Sequence, residues 1–184
     1  FRKDFDRALL KFLLPWGLLG IGIGTLTFQL LQPRWVAGIV GVFTLLFLAQ
    51  RLLFAPRADG APPPRWVGAL LTATSGFTSF VAHAGGPPVM IYLLSRKLPK
   101  QAFAATSVFF FAVINLAKLP FYLGLDLFNR DTLLMSAMLL PLVPIGVFAG
   151  MRLLARIPEK PFYLFATAAL GLSGAKLLWD AVMG

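Results

Sequence analysis

The chain has 184 residues, of which 58% are hydrophobic, and its mean hydropathy is +0.80. It has no cysteine and one histidine, which excludes a disulfide framework and argues against a metal centre, so no enzyme activity and no cofactor are expected. The formal charge of +10 lies mostly between apolar runs near the roughly 20 residues that cross a bilayer, which indicates membrane orientation rather than nucleic-acid binding. These features predict an all-α, polytopic helical membrane protein.

Two apolar spans are predicted in the first part of the chain, at residues 12–31 and 35–54. The first contains Pro15 and the pair Gly20-x-x-x-Gly24, a spacing that lets membrane helices approach closely. A polar, proline-rich stretch, APRADGAPPPR, follows at residues 55–65. We interpret it as a linker between two halves of the protein.

The next segment, residues 66–95, is apolar but is interrupted by Gly85-Gly86-Pro87-Pro88. Glycine costs a helix roughly 1 kcal/mol relative to alanine and proline removes a backbone donor, so one helix is expected to stop here and another to start. Unpaired N–H groups cost several kcal/mol each in lipid, so a broken helix persists where protein covers it or where it lines a cavity. We therefore predict a binding site with free donors at Gly85, Gly86 and Val89.

Three further spans are predicted, at residues 102–123, 132–154 and 162–179, and they contain matches to the first two spans. Pro15, Gly20 and Gly24 recur 126 residues later, and Pro33, Leu52 and Leu53 recur 125 residues later; the matching residues are Pro141, Gly146, Gly150, Pro158, Leu177 and Leu178. Such residues also coincide by chance in membrane helices. The nearly constant offset through two successive spans favours an internal repeat.

Basic residues distinguish the two sides of the predicted membrane protein. They are concentrated in four loops and sparse in the loops at Arg34 and Arg130. If residues 66–95 enter the membrane and return to the same side, all four basic loops are cytoplasmic, as the positive-inside rule prefers. The prediction is an inverted-topology repeat with a re-entrant broken helix: residues 1–54 are the second part of the first repeat, 55–65 the linker and 66–184 the second repeat. The initial part of the first repeat is then expected to precede Phe1.

Several of these motifs resemble those of the TauE/SafE sulfite exporter family, also called the toluene sulfonate uptake permease family. They are Ser75-Gly76-Phe77 followed by Gly85-Gly86-Pro87-Pro88, the later Ala105-Thr106-Ser107, and the two Pro-x4-Gly-x3-Gly spans. The resemblance covers essentially the whole chain. It implies a multi-pass carrier of sulfite, sulfonates or thiosulfate in the bacterial inner membrane, built from two related halves with a glycine-rich break in each. The chain departs from that pattern in having Gly-Gly-Pro-Pro, with His83 beside it, instead of a longer glycine run.

An anion is expected at the break, near the membrane midplane, because a helix N-terminus carries about half a positive charge. The candidate substrate-binding residues are Ser75, Gly76, Thr78, Ser79, His83, Gly85, Gly86, Pro87, Val89, Thr106, Asn115 and Lys118. Each has a structural alternative: the hydroxyls and the amide can bond to helix backbones, His83 can brace the turn, and Lys118 can extend its amine to the membrane surface.

The predicted function is export of small sulfur-containing anions by an alternating-access carrier. A membrane potential of about 100 mV, negative inside, favours exit of a monovalent anion by ~2.3 kcal/mol, so uptake rather than export would need coupling to protons or sodium. The alternative is a non-transporting membrane anchor or assembly subunit. The expected partners are the anion, the lipid bilayer and, as a candidate assembly, a second copy in a homodimer, with no nucleic acid.

Overall fold

The computed structural model describes residues 5–53, 63–125 and 129–183, without the side chains of residues 51, 53 and 132. These residues form helices and no strands. The helices are α1 (Arg7–Thr27), α2 (Pro33–Leu53), α3 (Arg65–Val81), α4 (Gly86–Ser95), α5 (Lys100–Gly124), α6 (Arg130–Leu139), α7 (Leu142–Arg156) and α8 (Glu159–Met183), with a 3-10 turn, Phe28–Leu30, after α1. Most of the predicted linker and the loop around position 126 lie outside the described residues.

Four of the described helices are long and apolar enough to cross a membrane: α1 with its following turn, α2, α5 and α8. The bent pair of α6 and α7 can supply a fifth span. This agrees with an all-α polytopic membrane protein. The predicted span at residues 132–154 corresponds to this pair, and α6 and α7 meet in it at a 47° bend. Pro141 and Pro144 lie at that bend and interrupt the backbone ladder, whereas single prolines at Pro15 and Pro120 remain inside α1 and α5.

The broken segment folds as an antiparallel hairpin of α3 and α4. A Cβ built on Gly68, near the start of α3, would lie 2.4 Å from the ring of Tyr92, near the end of α4. A Cβ built on Gly85, at the start of α4, would lie 2.5 Å from the Cβ of Ser79, near the end of α3. Both outer ends of the hairpin are therefore at the same end of the molecule, which is the geometry that a re-entrant hairpin requires.

Helix α1 packs directly on the backbone of α3. A Cβ built on Gly20 would lie 2.0 Å from the carbonyl oxygen of Ala73, and one built on Gly76 would lie 1.9 Å from that of Gly17. Only glycine allows this approach, so the small-residue pair on α1 serves the close helix crossing that its spacing predicted. Together with α4 and α5, these helices supply most of the hydrophobic core.

Helices α2 and α8, the two spans matched at an offset of 125, pack against each other in antiparallel directions. Near the start of α2, Gly38 faces Ala181, and near its end Leu48 faces Gly171. By contrast, no residue of α7 is buried, and the Cβ positions of Gly146 and Gly150 have no atom within 4 Å. The α1 glycines that match them in the repeat are packed against α3.

The charged ends of several helices meet at one end of the molecule. The Lys100 Nζ, at the start of α5, donates to the carbonyl oxygens of Leu154 (2.9 Å) and Ile157 (2.5 Å) at the end of α7. The Arg65 guanidinium, at the start of α3, lies 5.2 Å from the ring centroid of Phe12 near the start of α1. The helix ends flanked by basic loops therefore cluster, as the charge pattern predicts. Which side of a membrane they face stays a prediction.

Candidate functional site

The turn between α3 and α4 is tied by two buried hydroxyl groups. Thr78 Oγ1 lies 2.8 Å from the carbonyl oxygen of Thr74 and 3.1 Å from that of Ala84, and the Ala84 N–H donates back to the Thr78 carbonyl oxygen at 3.0 Å. Ser75 Oγ donates to the Gly85 carbonyl oxygen at 2.5 Å. Both hydroxyl protons are thus donated to backbone carbonyl oxygens. These two side chains stabilise the turn, which is the structural role considered above as the alternative to binding the anion.

His83 lies at the tip of this hairpin in the left-handed backbone region, with φ 52°. That conformation is uncommon for a residue with a Cβ, and it reverses the chain before the Gly-Gly-Pro-Pro motif begins. The imidazole is exposed, and its ring centroid lies 6.2 Å from that of Tyr122 on α5. His83 therefore contacts the neighbouring long helix as well as forming the turn.

Lys118, on α5, directs its amine to the hairpin tip. Its side chain is only 5% exposed, and Nζ lies 3.0 Å from Ser79 Oγ and 3.2 Å from the Ser79 carbonyl oxygen. The ammonium is also 5.9 Å from the ring centroid of Tyr122, within cation–π range. No ion pair with a carboxylate of the described residues neutralises it. A buried cation in a membrane helix is costly and marks a candidate functional position, and this one is directed into the protein rather than into solvent.

The N-terminus of α4 lies next to the same serine. A Cβ on Gly85 would lie 3.0 Å from Ser79 Oγ, so Ser79 stands between the Lys118 ammonium and the start of α4. Within the described chain, no backbone carbonyl outside the helix accepts from the N–H of Gly85 or Gly86. The Cβ position of Gly86 has no atom within 4 Å, so there is open space beside the first residue of α4. The site combines a cation, free amide donors and the positive end of a helix, which suits an anion.

The buried residues that follow Gly86 form the wall behind this space. Pro87 and Val89 are buried, and proline has no N–H to offer a ligand. Val89 is completely buried, so its side chain supports the start of α4 from the core side. The amide donors nearest the open space are consequently those of Gly85 and Gly86.

The hairpin tip lies level with the ends of α1 and α5, not with their middles. The Phe80 ring centroid, at the end of α3, is 5.7 Å from that of Phe28, which follows α1, and 5.2 Å from that of Tyr122, near the end of α5. The tip is therefore nearer the helix ends opposite the basic loops than the helix middles, and the midplane position expected from the sequence stays a prediction. The tip lies there because α3 continues as an unbroken helix for 17 residues before the turn.

Three of the predicted site residues lie elsewhere. Thr106 Oγ1 accepts from the Asp6 N–H at 3.1 Å, about 18 Å earlier along α5 than Lys118 at the helical rise. Asn115 is exposed on α5, and Gly76 is pressed against the backbone of Gly17. The residues gathered around the break are Ser75, Thr78, Ser79, His83, Gly85, Gly86, Pro87, Val89 and Lys118.

Tyr122 is not among the site residues predicted from the sequence, although its ring contacts both ionisable side chains of the tip. Its position four residues after Lys118 puts it on the same helix face, which is a signal the sequence contains. In addition, the described residues contain no group of three metal-binding side chains. The donors that the tip offers to an anion are the Lys118 ammonium and the amides of Gly85 and Gly86.

Comparison with known proteins identifies the family of the chain. The family model described as sulfite exporter TauE/SafE matches residues 1–177. Comparisons with curated proteins and with solved structures give no match. The family match covers nearly the entire chain and agrees with its several membrane-spanning helices. The chain therefore belongs to the TauE/SafE sulfite exporter family, a family of membrane transporters rather than enzymes.

Proposed function

We propose that this chain exports sulfite or a small organosulfonate by alternating access, with the anion bound at the broken helix. Family membership establishes a multi-pass membrane transporter of the sulfite-exporter type, with a small anion as its substrate. The observation that supports the broken helix as the site is the buried Lys118 ammonium bonded to Ser79 beside the start of α4.

The donor arrangement explains why an oxyanion of sulfur would bind. Sulfite and sulfonates present three acceptor oxygens, and the tip offers the ammonium of Lys118 and the free amides of Gly85 and Gly86. Each hydrogen bond to a charged group contributes about 1.5–3 kcal/mol. The helix N-terminus adds about half a positive charge. A spherical chloride ion cannot engage all of these donors with the same geometry.

The other residues of the break have supporting roles in this proposal. Ser75 and Thr78 hold the turn through carbonyl oxygens, so they position the donors without binding the anion. Ser79 accepts from Lys118 and fixes the ammonium near α4. His83 is exposed at the tip, where it is a candidate for anion contact or proton transfer.

The proposal also includes a direction, export, and a location, the bacterial inner membrane. In a bacterial inner membrane with a potential of about 100 mV, exit of a monovalent anion is favoured by ~2.3 kcal/mol. Export then needs no coupling ion, whereas uptake would require protons or sodium.

An inverted repeat is part of the proposal, because alternating access in many secondary transporters uses two such halves. The antiparallel packing of α2 on α8 supports it, since the two spans with matched sequence run in opposite directions.

Sulfite binding and flux by the purified protein in proteoliposomes test this function. Lys118→Met should lower both at least about tenfold, because one lost charged hydrogen bond corresponds to that factor or more. Lys176→Met, which removes an exposed lysine from α8, is the matched control and should behave like the wild type. Wild-type affinity and flux in Lys118→Met would remove the lysine from the site. A folded, inserted wild-type protein that neither binds nor carries sulfite would favour the anchor or assembly subunit instead.

A further inference from the structure

A polar cavity lies at the base of the α3–α4 hairpin, at the opposite end from the tip. Its volume is about 320 Å³, and it is enclosed by the first turns of α1, the start of α3 and the end of α4. The lining residues that matter for its chemistry are Asp6, Phe12, Arg65, Tyr92 and Arg96. The exposed Arg65 side chain places the cavity at the protein surface. The transport proposal uses none of these residues.

Helical spacing brings the two arginines of this cavity together. Arg65 and Gly68 lie three residues apart and share a face of α3. Tyr92 and Arg96 lie four residues apart and share a face of α4. These two faces meet, because a Cβ built on Gly68 would lie 2.4 Å from the Tyr92 ring. Each side of the hairpin base therefore supplies one guanidinium to the same cavity.

Aromatic rings position both guanidinium groups. That of Arg65 lies 5.2 Å from the ring centroid of Phe12, and that of Arg96 lies 5.9 Å from the ring centroid of Tyr92. The two rings are neighbours, with centroids 6.2 Å apart. Neither guanidinium forms an ion pair within the part of the chain that the structure describes. A guanidinium held over a ring keeps its N–H groups available, so both arginines can donate to an oxyanion.

A buried hydroxyl group is a further donor at this cavity. The Tyr92 side chain is only 2% exposed, and its Oη would lie 2.8 Å from a Cβ built on Gly68, one helical turn after Arg65. Among the described residues this hydroxyl has no acceptor for its proton, whereas a buried tyrosine hydroxyl usually finds one. A ligand in the cavity would supply that acceptor.

One carboxylate also lines the cavity. Asp6 Oδ1 accepts from the Leu9 N–H at 2.9 Å and so caps the N-terminus of α1. The two guanidinium groups exceed this single negative charge, so the cavity is net positive. Guanidinium groups bind oxyanions through paired, parallel hydrogen bonds. Two of them with a hydroxyl suit a small ligand that carries several oxygens on one atom.

We propose that this cavity is a capture site for the transported oxyanion, which is held by Arg65, Arg96 and Tyr92. The capture role rests on the proposed export function, because the basic loops at this end are predicted to be cytoplasmic and export begins on that side. Positive charge at the entrance of a transporter raises the local concentration of an anion and its rate of association. The protein then has two anion sites, one at each end of the hairpin.

Equilibrium dialysis of radioactive sulfite against the purified protein in neutral detergent tests the second site. The wild type should bind two anions per chain. Arg65→Ala/Arg96→Ala should weaken the base site at least about tenfold, whereas Lys118→Met should weaken only the tip site. Lys160→Ala, which removes an exposed cation at the same end, is the matched control and should bind like the wild type. Unchanged binding in the double arginine variant would overturn the proposal.

Two conservative variants separate a defined site from general attraction of anions to a basic surface. Arg65→Lys/Arg96→Lys keeps both charges but loses the planar guanidinium groups, and Tyr92→Phe keeps the ring but loses the hydroxyl. Each should weaken the base site about fivefold or more, with the fold checked by circular dichroism. Wild-type affinity in both variants would show that surface charge alone attracts the anion, and would overturn the proposal.

Asp6→Asn changes the charge of the cavity in the opposite direction. Asparagine can still cap α1, so the variant removes the negative charge without removing the cap. Sulfite binding at the base should become about two- to fivefold tighter at low salt, and less so at high salt. Unchanged affinity at low salt would place the anion outside this cavity and overturn the proposal.

A lipid headgroup has the same oxyanion chemistry as a free anion, and competition with sulfite distinguishes these two sources. Similar competition by glycerol phosphate and by short-chain phosphatidylglycerol supports a site for free anions. Competition by the lipid alone would overturn the capture role.

Flux measurements in proteoliposomes test capture separately from binding. Arg65→Ala/Arg96→Ala should raise the sulfite concentration that gives half-maximal flux at least about threefold, with maximal flux retained, because the tip is unchanged. An unchanged half-maximal concentration would overturn the capture role. If Lys118→Met bound sulfite like the wild type, the transport site would be wrong, while loss of the base site in the arginine variant would still establish binding at the base.

Discussion

Gly76 provides a direct test of the crossing between α1 and α3. In Gly76→Ala the new methyl group would lie 1.9 Å from the Gly17 carbonyl oxygen and 3.1 Å from the Gly17 Cα. Both are backbone atoms, so no side-chain rotation can relieve the contact, and the helices must separate by about 1.5 Å to reach ordinary van der Waals contact at 3.4 Å. Overpacking of this kind costs about 1–3 kcal/mol, and a clash with backbone favours the upper end.

The greater helix propensity of alanine offsets part of that cost, by about 1 kcal/mol. A net loss near 2 kcal/mol corresponds to a fall in Tm of about 4–8 °C for a chain of this size. Thermal unfolding in detergent, followed by circular dichroism, measures the shift. Gly146→Ala is the matched control, because it makes the same change on α7 where a Cβ meets no atom within 4 Å. Its Tm should equal or slightly exceed that of the wild type.

An unchanged Tm in Gly76→Ala would refute the close crossing. If sulfite binding were lost while the Tm stayed at the wild-type value, Gly76 would instead contact substrate, as its place in the sequence motif suggested. The expected combination is a lower Tm with sulfite affinity retained in the fraction that remains folded.

Two further predictions concern the break and the membrane topology. Gly86→Val should abolish sulfite flux by filling the space before α4, where a Cβ meets no atom within 4 Å apart from its chain neighbours, and by straining the turn ahead of Pro87; wild-type flux would contradict a site at the break. Cysteines placed singly at positions 57 and 97 of this cysteine-free chain should react with an impermeant reagent from the cytoplasmic side, and one at position 34 from the outside. Labelling of positions 57 and 97 from opposite sides would rule out both the hairpin and the inverted repeat.

The sequence is sufficient to locate the break, because glycine and proline act on the backbone locally. It does not reveal the form of the turn. Helix α3 ends at Val81, and the reversal occurs around His83, whereas Gly86 and the two prolines already belong to the first turn of α4. Neither composition nor spacing reliably indicates that a non-glycine residue such as His83 adopts the left-handed conformation, or that the hydroxyls of Ser75 and Thr78 stabilise the turn around it.

The members of the candidate site depend on tertiary contacts to different degrees. The bond between Ser79 and Lys118 joins residues far apart in the chain, and no helical periodicity predicts it. Separating Thr106 from Lys118 needs only the helical rise, since about 18 Å of one helix cannot be spanned by a small anion. The orientation of Asn115 is different again, because its exposure depends on which face of α5 packs against α1.

Proline alone also fails to determine where a span bends. Pro15 and Pro141 occupy matched positions in the internal repeat, yet α1 continues through the first and the helix stops at the second. Pro144 lies close to Pro141 and adds a second missing donor. In α1, dense packing against α3 and α5 also supports the helix, whereas the described side chains around the α6–α7 bend are exposed. The surroundings of a proline thus decide its effect.

The glycine contacts between α1 and α3 restrict how the protein can move. Packed helices usually slide by 1–2 Å when the side chains between them change rotamer. Gly17, Gly20 and Gly76 bring backbone onto backbone, so that crossing contains few rotamers to change. Helices α1 and α3 should consequently move together as one rigid body. The contact between α3 and α5 can change more easily, because the long Lys118 side chain bonds to Ser79 there. We expect relative motion at the hairpin tip to be concentrated at this contact.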